Sequence, residues 1–246
     1  MPSHELYLLH LGQLGVRDET GAAHFGPVPG YLIRAASGRT ILVDSGNPAA
    51  LIGAENSEPW WPLLADVRPE DDIVPRLAEL GITPTDVDLL ISTHFDFDHC
   101  GRHDAFAAAG VTSLVQAAHL EQARGNPRFD PALWDLPGIR YETVAGDVEL
   151  EPGLRLLLSS GHVIGHQSLF IETSSGPVLL AIDAIPHKMD ITTDANLDTS
   201  VDPVAAKASR DKLADLAFAT GASLLCGHDG RQWATLPKSP RPFARP

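Results

Sequence analysis

The densest group of residues that can bind metal lies in Thr93-His94-Phe95-Asp96-Phe97-Asp98-His99-Cys100-Gly101. It places four side chains that can bind metal within six residues, interleaved with two phenylalanines. The phenylalanines argue against a solvated loop, and burying two imidazoles with two carboxylates is costly unless a cation pairs with them. The stretch therefore predicts a metal site. If the chain is extended here, alternation points residues 94, 96 and 98 in the same direction.

Three further segments carry polar residues at or just past the ends of predicted strands, where ligand-binding loops gather. Each residue alone has an ordinary structural explanation, such as a hydrogen-bonded histidine or a turn carboxylate. Together with the first motif they complete two sets of metal ligands around one shared carboxylate. The segments are Ser160-Gly161-His162-Val163-Ile164-Gly165-His166, Ala181-Ile182-Asp183-Ala184 and Cys226-Gly227-His228-Asp229-Gly230.

The surrounding sequence alternates short β-rich runs with helical segments, which predicts mixed β-sheets with helices on the outside. Two helices have clear start signals: one follows Asp72, and the other opens with Asp202-Pro203 and runs to about Thr220. Predicted strands cover residues 5–9, 31–33, 40–43, 88–93, 154–158, 167–172, 178–182 and 223–226.

Composition and charge narrow the class of protein. With 43% hydrophobic and 20% charged residues over 246 positions, the chain has ordinary globular usage, which excludes a disordered protein. A net charge of −14 argues against nucleic acid and against an anionic membrane surface as partners. No run reaches the roughly 18 apolar residues of a membrane span, and no signal peptide is recognised. Cys100 and Cys226 are expected to be reduced thiols of a cytoplasmic protein.

The chain is predicted to form a single domain over residues 1–236. The tail at 237–246 is rich in proline, and we expect either an irregular strap or a frayed end.

The quoted motifs resemble those of the metallo-β-lactamase superfamily, whose pattern is H-x-H-x-D-H followed downstream by His, Asp and His. Within it the chain is most similar to the N-acyl-homoserine lactonase branch. The likeness extends from about residue 5 to about residue 232. The stretches that carry it are residues 27–33 and 40–46, the segment from Ser160 to Thr173, and residues 224–229.

The resemblance implies an αββα sandwich of two mixed sheets flanked by helices, with the site at its edge. It implies a hydrolase in which a hydroxide bridging two divalent ions attacks the carbonyl of a lactone, with Asp98 passing a proton to the leaving oxygen. Zinc is the expected metal, with iron, manganese or cobalt as alternatives, and a small molecule is the expected substrate. A homodimer is compatible with this reading. The implied ligands are His94, Asp96 and His162 for one ion, Asp98, His99 and His228 for the other, and Asp183 for both.

Two positions depart from the family pattern. Asp96 replaces a histidine, which adds one negative charge to the cluster, weakens it as a Lewis acid and should let it tolerate harder metals such as iron or manganese. Pro186 stands where many lactonases have a tyrosine that steadies the substrate carbonyl. His187 is a candidate to donate that hydrogen bond instead, and a surface-loop histidine is the equal alternative.

Other residues are assigned supporting roles. Asp44 resembles an aspartate that orients a ligand histidine, a requirement common to metal sites. His166 is expected to support the site rather than bind metal. Trp60 and Trp61, in a loop over residues 47–69, either wall an acyl-chain pocket or cap the core.

Two alternatives to this function stay open. One is a hydrolase of the same fold acting on a different lactone or a thioester. The other is a non-hydrolytic di-iron redox protein, because flavodiiron proteins carry a carboxylate at the position of Asp96. The chain has no room for a flavodoxin domain, which favours the hydrolase.

Overall fold

A computed structural model describes residues 3–54, 62–194 and 197–245 of the chain. The strands are β1 Glu5–Arg17, β2 Ala23–Arg34, β3 Thr40–Val43, β4 Leu64–Asp66, β5 Leu89–Ile91, β6 Thr112–Gln116, β7 Arg140–Val144, β8 Val148–Glu151, β9 Leu154–Leu158, β10 Gln167–Thr173, β11 Gly176–Ile182 and β12 Ser223–Cys226. The α-helices are α1 Ile73–Ala78, α2 Phe97–Cys100, α3 Asp104–Ala107, α4 Ala117–Ala123, α5 Pro131–Trp134, α6 Pro203–Thr220 and α7 Gly230–Thr235.

Two mixed sheets are formed by the described residues. The first has the order β4-β1-β2-β3-β5-β6-β7, antiparallel from β4 to β3 and parallel from β3 to β7. The second has the order β12-β11-β10-β9-β8, in which only the β11–β12 pair is parallel. The predicted β2–β3 pair is confirmed, with Tyr31 opposite Val43.

Alternating side chains build the layers. Along β1, Leu6 and Leu8 point into the core between the sheets, while Leu9 faces the outer layer. The core between the sheets also takes Leu156 and Leu180 from the second sheet. The outer face of the first sheet packs against α1 and α3, and the outer face of the second packs against α6. These four layers confirm the predicted αββα sandwich.

Both predicted helix starts are confirmed. The Asp202 carboxylate accepts hydrogen bonds from the backbone N–H groups of Val204 and Ala205, which have no partner within the helix. Helix α6 ends at Gly221, which adopts the left-handed φ of 63°. Asp72 caps α1 in the same way through Val74 N.

The C-terminal segment is a strap rather than a frayed end. Ser239 and Phe243 donate backbone hydrogen bonds to Leu8 and Leu6 of β1, and the Phe243 side chain is buried in the core between the sheets. Among the described residues, no helix is long and apolar enough to cross a bilayer.

Candidate metal centre

The site is built where strands of both sheets end at one edge of the sandwich. His94 follows β5, Asp183 follows β11 and His228 follows β12, while His162 lies in the turn between β9 and β10. Because parallel neighbours end on the same side of a sheet, these ends bring their side chains together. The turn carrying His162 is held close by Gly165, which has φ of 72° and where a Cβ would lie 2.4 Å from His119 N.

The first predicted ligand set is assembled. Asp96 Oδ2 lies 3.2 Å from His94 Nε2 and 3.0 Å from His162 Nε2. Asp183 Oδ2 lies 3.9 Å from His94 Nε2 and 3.4 Å from His162 Nε2, so it faces the same space.

The second set lies beside the first. His99 Nε2 is 3.7 Å from Asp98 Oδ2, and His228 Nε2 is 3.9 Å from the same oxygen. The other Asp183 oxygen, Oδ1, is 3.4 Å from His99 Nε2 and 3.1 Å from His228 Nε2. Asp183 thus turns one oxygen toward each set, as a bridging carboxylate would.

The chain is extended through Asp96 but not through Asp98. Helix α2 begins at Phe97, so the predicted alternation of residues 94, 96 and 98 applies only to the first two. Asp98 reaches the site from the first turn of that helix, together with His99. Phe95 is buried beneath the motif, in agreement with the predicted burial.

Three of the predicted ligand histidines turn Nε2 toward the site because their Nδ1–H groups are engaged elsewhere. His99 Nδ1 donates to Asp44 Oδ2 at 2.8 Å, and His228 Nδ1 donates to the carbonyl of Pro27 at 2.8 Å. His94 Nδ1 donates to Thr93 Oγ1 at 3.0 Å. The Thr93 hydroxyl can accept because it donates its own proton to Asp44.

These residues fit bound cations. His94 Nε2, His99 Nε2 and Asp183 Oδ1 are buried and have no hydrogen-bond partner within the described residues. Buried acceptors that face one another are destabilising unless a proton or a metal ion lies between them. Histidine nitrogens and carboxylate oxygens are ligands that first-row divalent metals prefer.

The electrostatics of the cluster follow from burial and crowding. Burial and the neighbouring His99 lower the pKa of His94 to about 3, so its ring is neutral at pH 7. Burial also acts to lower the pKa of His228, but the carboxylates of Asp183 and Asp98 outweigh it and raise that pKa to about 9. Without a metal the carboxylates therefore attract protons onto nearby histidines, and a bound ion would replace those protons.

Both predicted supporting residues contact the site. Asp44 has a left-handed φ of 58° and accepts hydrogen bonds from Thr93 N and Thr93 Oγ1 as well as from His99. His166 Nε2 accepts a hydrogen bond from Asp183 N, and its Nδ1 donates to Ser159 Oγ. Ile182, just before Asp183, has φ of 52°, a strained backbone for a β-branched residue that turns the carboxylate into the cluster.

Two contributors were missed by the sequence interpretation. Arg128 forms a two-point ion pair with Asp96. His119, buried in α4, accepts from Phe95 N and donates to the carbonyl of Ile164. His119 comes shortly after the apolar residues Leu114 and Val115, which is a signal that the sequence contains, whereas nothing in the loop sequence marks Arg128.

An open cavity of about 1730 Å³ leads to the cluster. Asp96, Asp98 and His187 lie on its wall, and His187 is partly exposed. Trp60 and Trp61 lie outside the described residues. The exposed apolar side chains on the cavity wall are Val16 and Phe25 from the β1–β2 hairpin and Met189 from the loop after β11.

The chain is similar to known proteins over most of its length. The sequence pattern of the metallo-beta-lactamase superfamily matches residues 24–235. N-acyl homoserine lactonase AiiA of Bacillus thuringiensis subsp. kurstaki is 35% identical over 84% of this chain and 82% of its own. N-acyl homoserine lactonase AttM of Azorhizobium caulinodans is 32% identical over 98% of both chains. A solved N-acyl homoserine lactone hydrolase with N-hexanoyl-L-homoserine at its catalytic metal centre is 31% identical, with a TM-score of 0.88 over 98% of this chain and 100% of the other.

Proposed function

The chain belongs to the metallo-β-lactamase superfamily, and on that premise we propose that it is a metal-dependent hydrolase that opens the ring of N-acyl homoserine lactones. One observation supports the proposal: seven histidine and aspartate side chains converge on one cluster, in which His94 Nε2, His99 Nε2 and Asp183 Oδ1 are buried and have no hydrogen-bond partner within the described residues. The relatives that match almost the whole chain are named lactonases, which gives the substrate class.

The centre is proposed to hold two divalent ions, with zinc as the expected metal. His94, Asp96 and His162 would hold the first ion, and Asp98, His99 and His228 the second, with Asp183 shared between them. Bound ions would polarise the lactone carbonyl and lower the pKa of a water molecule so that it can attack at neutral pH.

Asp98 is proposed to handle the proton of the reaction. Its side chain lines the cavity that leads to the cluster. A carboxylate at this position can take up the proton that the attacking water loses and return it to the ring oxygen as the carbon–oxygen bond breaks. We propose that Asp98 performs this step.

The cavity suits a substrate with a polar ring and an apolar chain. Beside the polar cluster, Val16, Phe25 and Met189 expose apolar side chains that an acyl chain could cover. With Pro186 unable to donate a hydrogen bond through its side chain, His187 is proposed as the donor that steadies a substrate carbonyl.

Location and assembly are further proposals. Cys100 and Cys226 are both free and buried, which supports a cytoplasmic location. A homodimer is the proposed assembly, and light scattering of the purified chain would test it.

The function is tested by assaying the purified enzyme against a panel of substrates while its metal content is measured. The panel holds N-acyl homoserine lactones of short and long chain, simple lactones without an acyl chain, and acyl thioesters. Ring opening of the acylated lactones at the highest kcat/KM is expected. A preference for thioesters, or iron content with oxygen consumption and no hydrolysis, would contradict it.

A further inference from the structure

The Asp96 side chain is already paired with a cation of the protein. Arg128 Nε donates to Asp96 Oδ1 at 2.7 Å, and Arg128 Nη2 donates to Asp96 Oδ2 at 2.6 Å. This is the two-point geometry that a planar guanidinium forms with a carboxylate. The same Nη2 lies 3.1 Å from His162 Nε2. Arg128 thus contacts two of the three side chains in the first ligand set.

The loop between α4 and α5 fixes the position of Arg128. The backbone N–H of Arg128 donates to Asn126 Oδ1 at 3.0 Å. The next residue, Phe129, is only 1% exposed and packs in the cluster that contains Phe95. Asp130 then caps α5 by accepting from Ala132 N. Because residues on both sides are anchored, the fold itself presents the guanidinium to Asp96.

Arg128 changes the charge of the site. A neutral histidine at position 96 would contribute no charge, whereas Asp96 contributes one negative charge. Arg128 contributes one positive charge at hydrogen-bond distance, so the pair is neutral, as an imidazole is. The extra negative charge expected from Asp96 alone is therefore cancelled within the site.

The guanidinium also occupies atoms that a metal ion would need. Arg128 Nη2 approaches Asp96 Oδ2 and His162 Nε2, the two atoms that lie 3.0 Å apart within the first ligand set. A positive charge at that distance repels an added cation. The second set has no such competitor, because within the described residues Asp98 forms no ion pair with a lysine or arginine.

We propose that Arg128 controls the first metal position: it neutralises Asp96 and competes with the ion for Asp96 and His162, so that the first ion binds more weakly than the second. This rests on the metal centre of the proposed function and specifies how its two positions differ. Arg128 is a positioning residue, since it acts through Asp96 and His162.

The test is a zinc titration of the full chain after removal of metal, with a chromophoric chelator as competitor. Two binding steps of different affinity are expected in the wild type. Arg128→Gln should lower the Kd of the weaker step by about tenfold or more and leave the Kd of the tighter step unchanged. A change of this size is typical when a residue that hydrogen-bonds a metal ligand is substituted. Arg128→Lys keeps the charge and should stay close to the wild type.

Arg124→Gln is the matched control, because it removes the same charge from an exposed arginine at the end of α4. Its titration should equal that of the wild type. A weaker step that is unchanged or loosened in Arg128→Gln would overturn the role of Arg128 while the metal centre stands. Tightening in Arg128→Lys as large as in Arg128→Gln would overturn the charge argument. If the wild type binds no zinc, the proposed function itself fails.

Discussion

The charge that Asp96 adds to the cluster depends on its ion pair with Arg128. Seen without Arg128, an aspartate in the ligand set makes the cluster more negative and its water less acidic. Seen with Arg128, whose guanidinium binds both carboxylate oxygens, the same aspartate belongs to a neutral pair. Burial alone would raise the pKa of Asp96, but the hydrogen bonds with Arg128 and His162 outweigh it and hold that pKa well below its usual range, so the pair is ionised.

Substitutions at the two positions should therefore compensate each other. Asp96→His raises the cluster charge by one, which favours hydroxide and should move the acid limb of the pH–rate profile to lower pH. Arg128→Gln should move it to higher pH. The double variant should return the limb to its wild-type position, because its charge equals that of the wild type. Profiles of kcat/KM against pH measure this, and additive shifts in one direction would contradict the pairing.

The candidate metal-binding residues could be predicted from sequence, but the contribution of Arg128 could not. His94 and Asp183 each follow an apolar run that predicts a buried strand. A polar side chain buried at such a position needs a partner, and a metal ion is one that both residues can bind. Arg128 lies in a loop without period or motif, and it reaches Asp96 because Phe129 packs under the site. That packing is a tertiary contact that local sequence does not encode.

Among the elements, helix α4 links the two loops that carry the first ligand set. His119 Nε2 accepts from Phe95 N at 2.9 Å, and its Nδ1–H donates to the carbonyl of Ile164 at 2.9 Å. Burial lowers the pKa of His119 to about 4, so at neutral pH one nitrogen can accept while the other donates. The helix thereby fixes the spacing of His94 and His162.

Removing this link should loosen both loops at once. His119→Ala is expected to increase amide hydrogen exchange in residues 94–96 and 162–166 together and to weaken metal binding by about tenfold or more. Glu121→Ala, on the exposed side of the same helix, is the control and should change neither. Faster exchange in only one of the two loops would show that His119 does not couple them.

The predicted elements were those with strong local signals. Strands β5, β9, β10, β11 and β12 and helix α6 correspond to apolar runs or clear caps in the sequence. Strand β1 extends to Arg17, well past the predicted end at residue 9. The prediction stopped early because a register shift between His10 and Gln13 interrupts the alternation of apolar and polar residues. The short strands β7 and β8 expose much of their surface and lack the apolar pattern that a sequence search detects.

For the whole molecule, the metal centre joins the two sheets. His94 follows β5 of the first sheet and His99 lies in α2 shortly after it, while His162, Asp183 and His228 lie just past the ends of strands of the second sheet. Ions bound between them stabilise the native state, because the unfolded chain does not hold these ligands in place. Chelation should thus act on the stability of the entire fold.

The midpoint of thermal unfolding should fall when metal is removed. A ligand present at about a thousand times its Kd contributes about 4 kcal/mol, which corresponds to about 10 °C for a chain of this size. Calorimetry with and without EDTA measures the difference, and added zinc should restore the original midpoint. An identical midpoint in both samples would mean that no ion bridges the sheets.

Stability should also depend on a buried histidine away from the cluster. Burial lowers the pKa of His103 to about 3, below the 6.5 of an unperturbed side chain. Between these two pH values His103 takes up a proton in the unfolded chain but stays neutral in the folded chain. The free energy of unfolding therefore decreases as pH falls from about 6.5 toward 3. Between pH 7 and pH 5 this one group accounts for about 2 kcal/mol.

Urea unfolding at the two pH values tests this assignment. His103→Asn should reduce the pH-dependent loss by about 2 kcal/mol. Ser92→Ala removes a hydrogen-bond partner of His103 but keeps the imidazole, so it should lower stability at pH 7 and retain the pH dependence. Equal pH dependence in His103→Asn and the wild type would contradict the prediction.

Opening of N-acyl homoserine lactones by this chain should require metal bound at the cluster. The most direct measurement follows one acylated lactone by mass spectrometry with metal-loaded, metal-depleted and zinc-reconstituted enzyme. We predict a product heavier than the lactone by one water with the loaded enzyme, none above background after depletion, and recovery on adding zinc. Unchanged lactone with the fully loaded enzyme, or equal turnover after depletion, would rule out metal-dependent lactone opening.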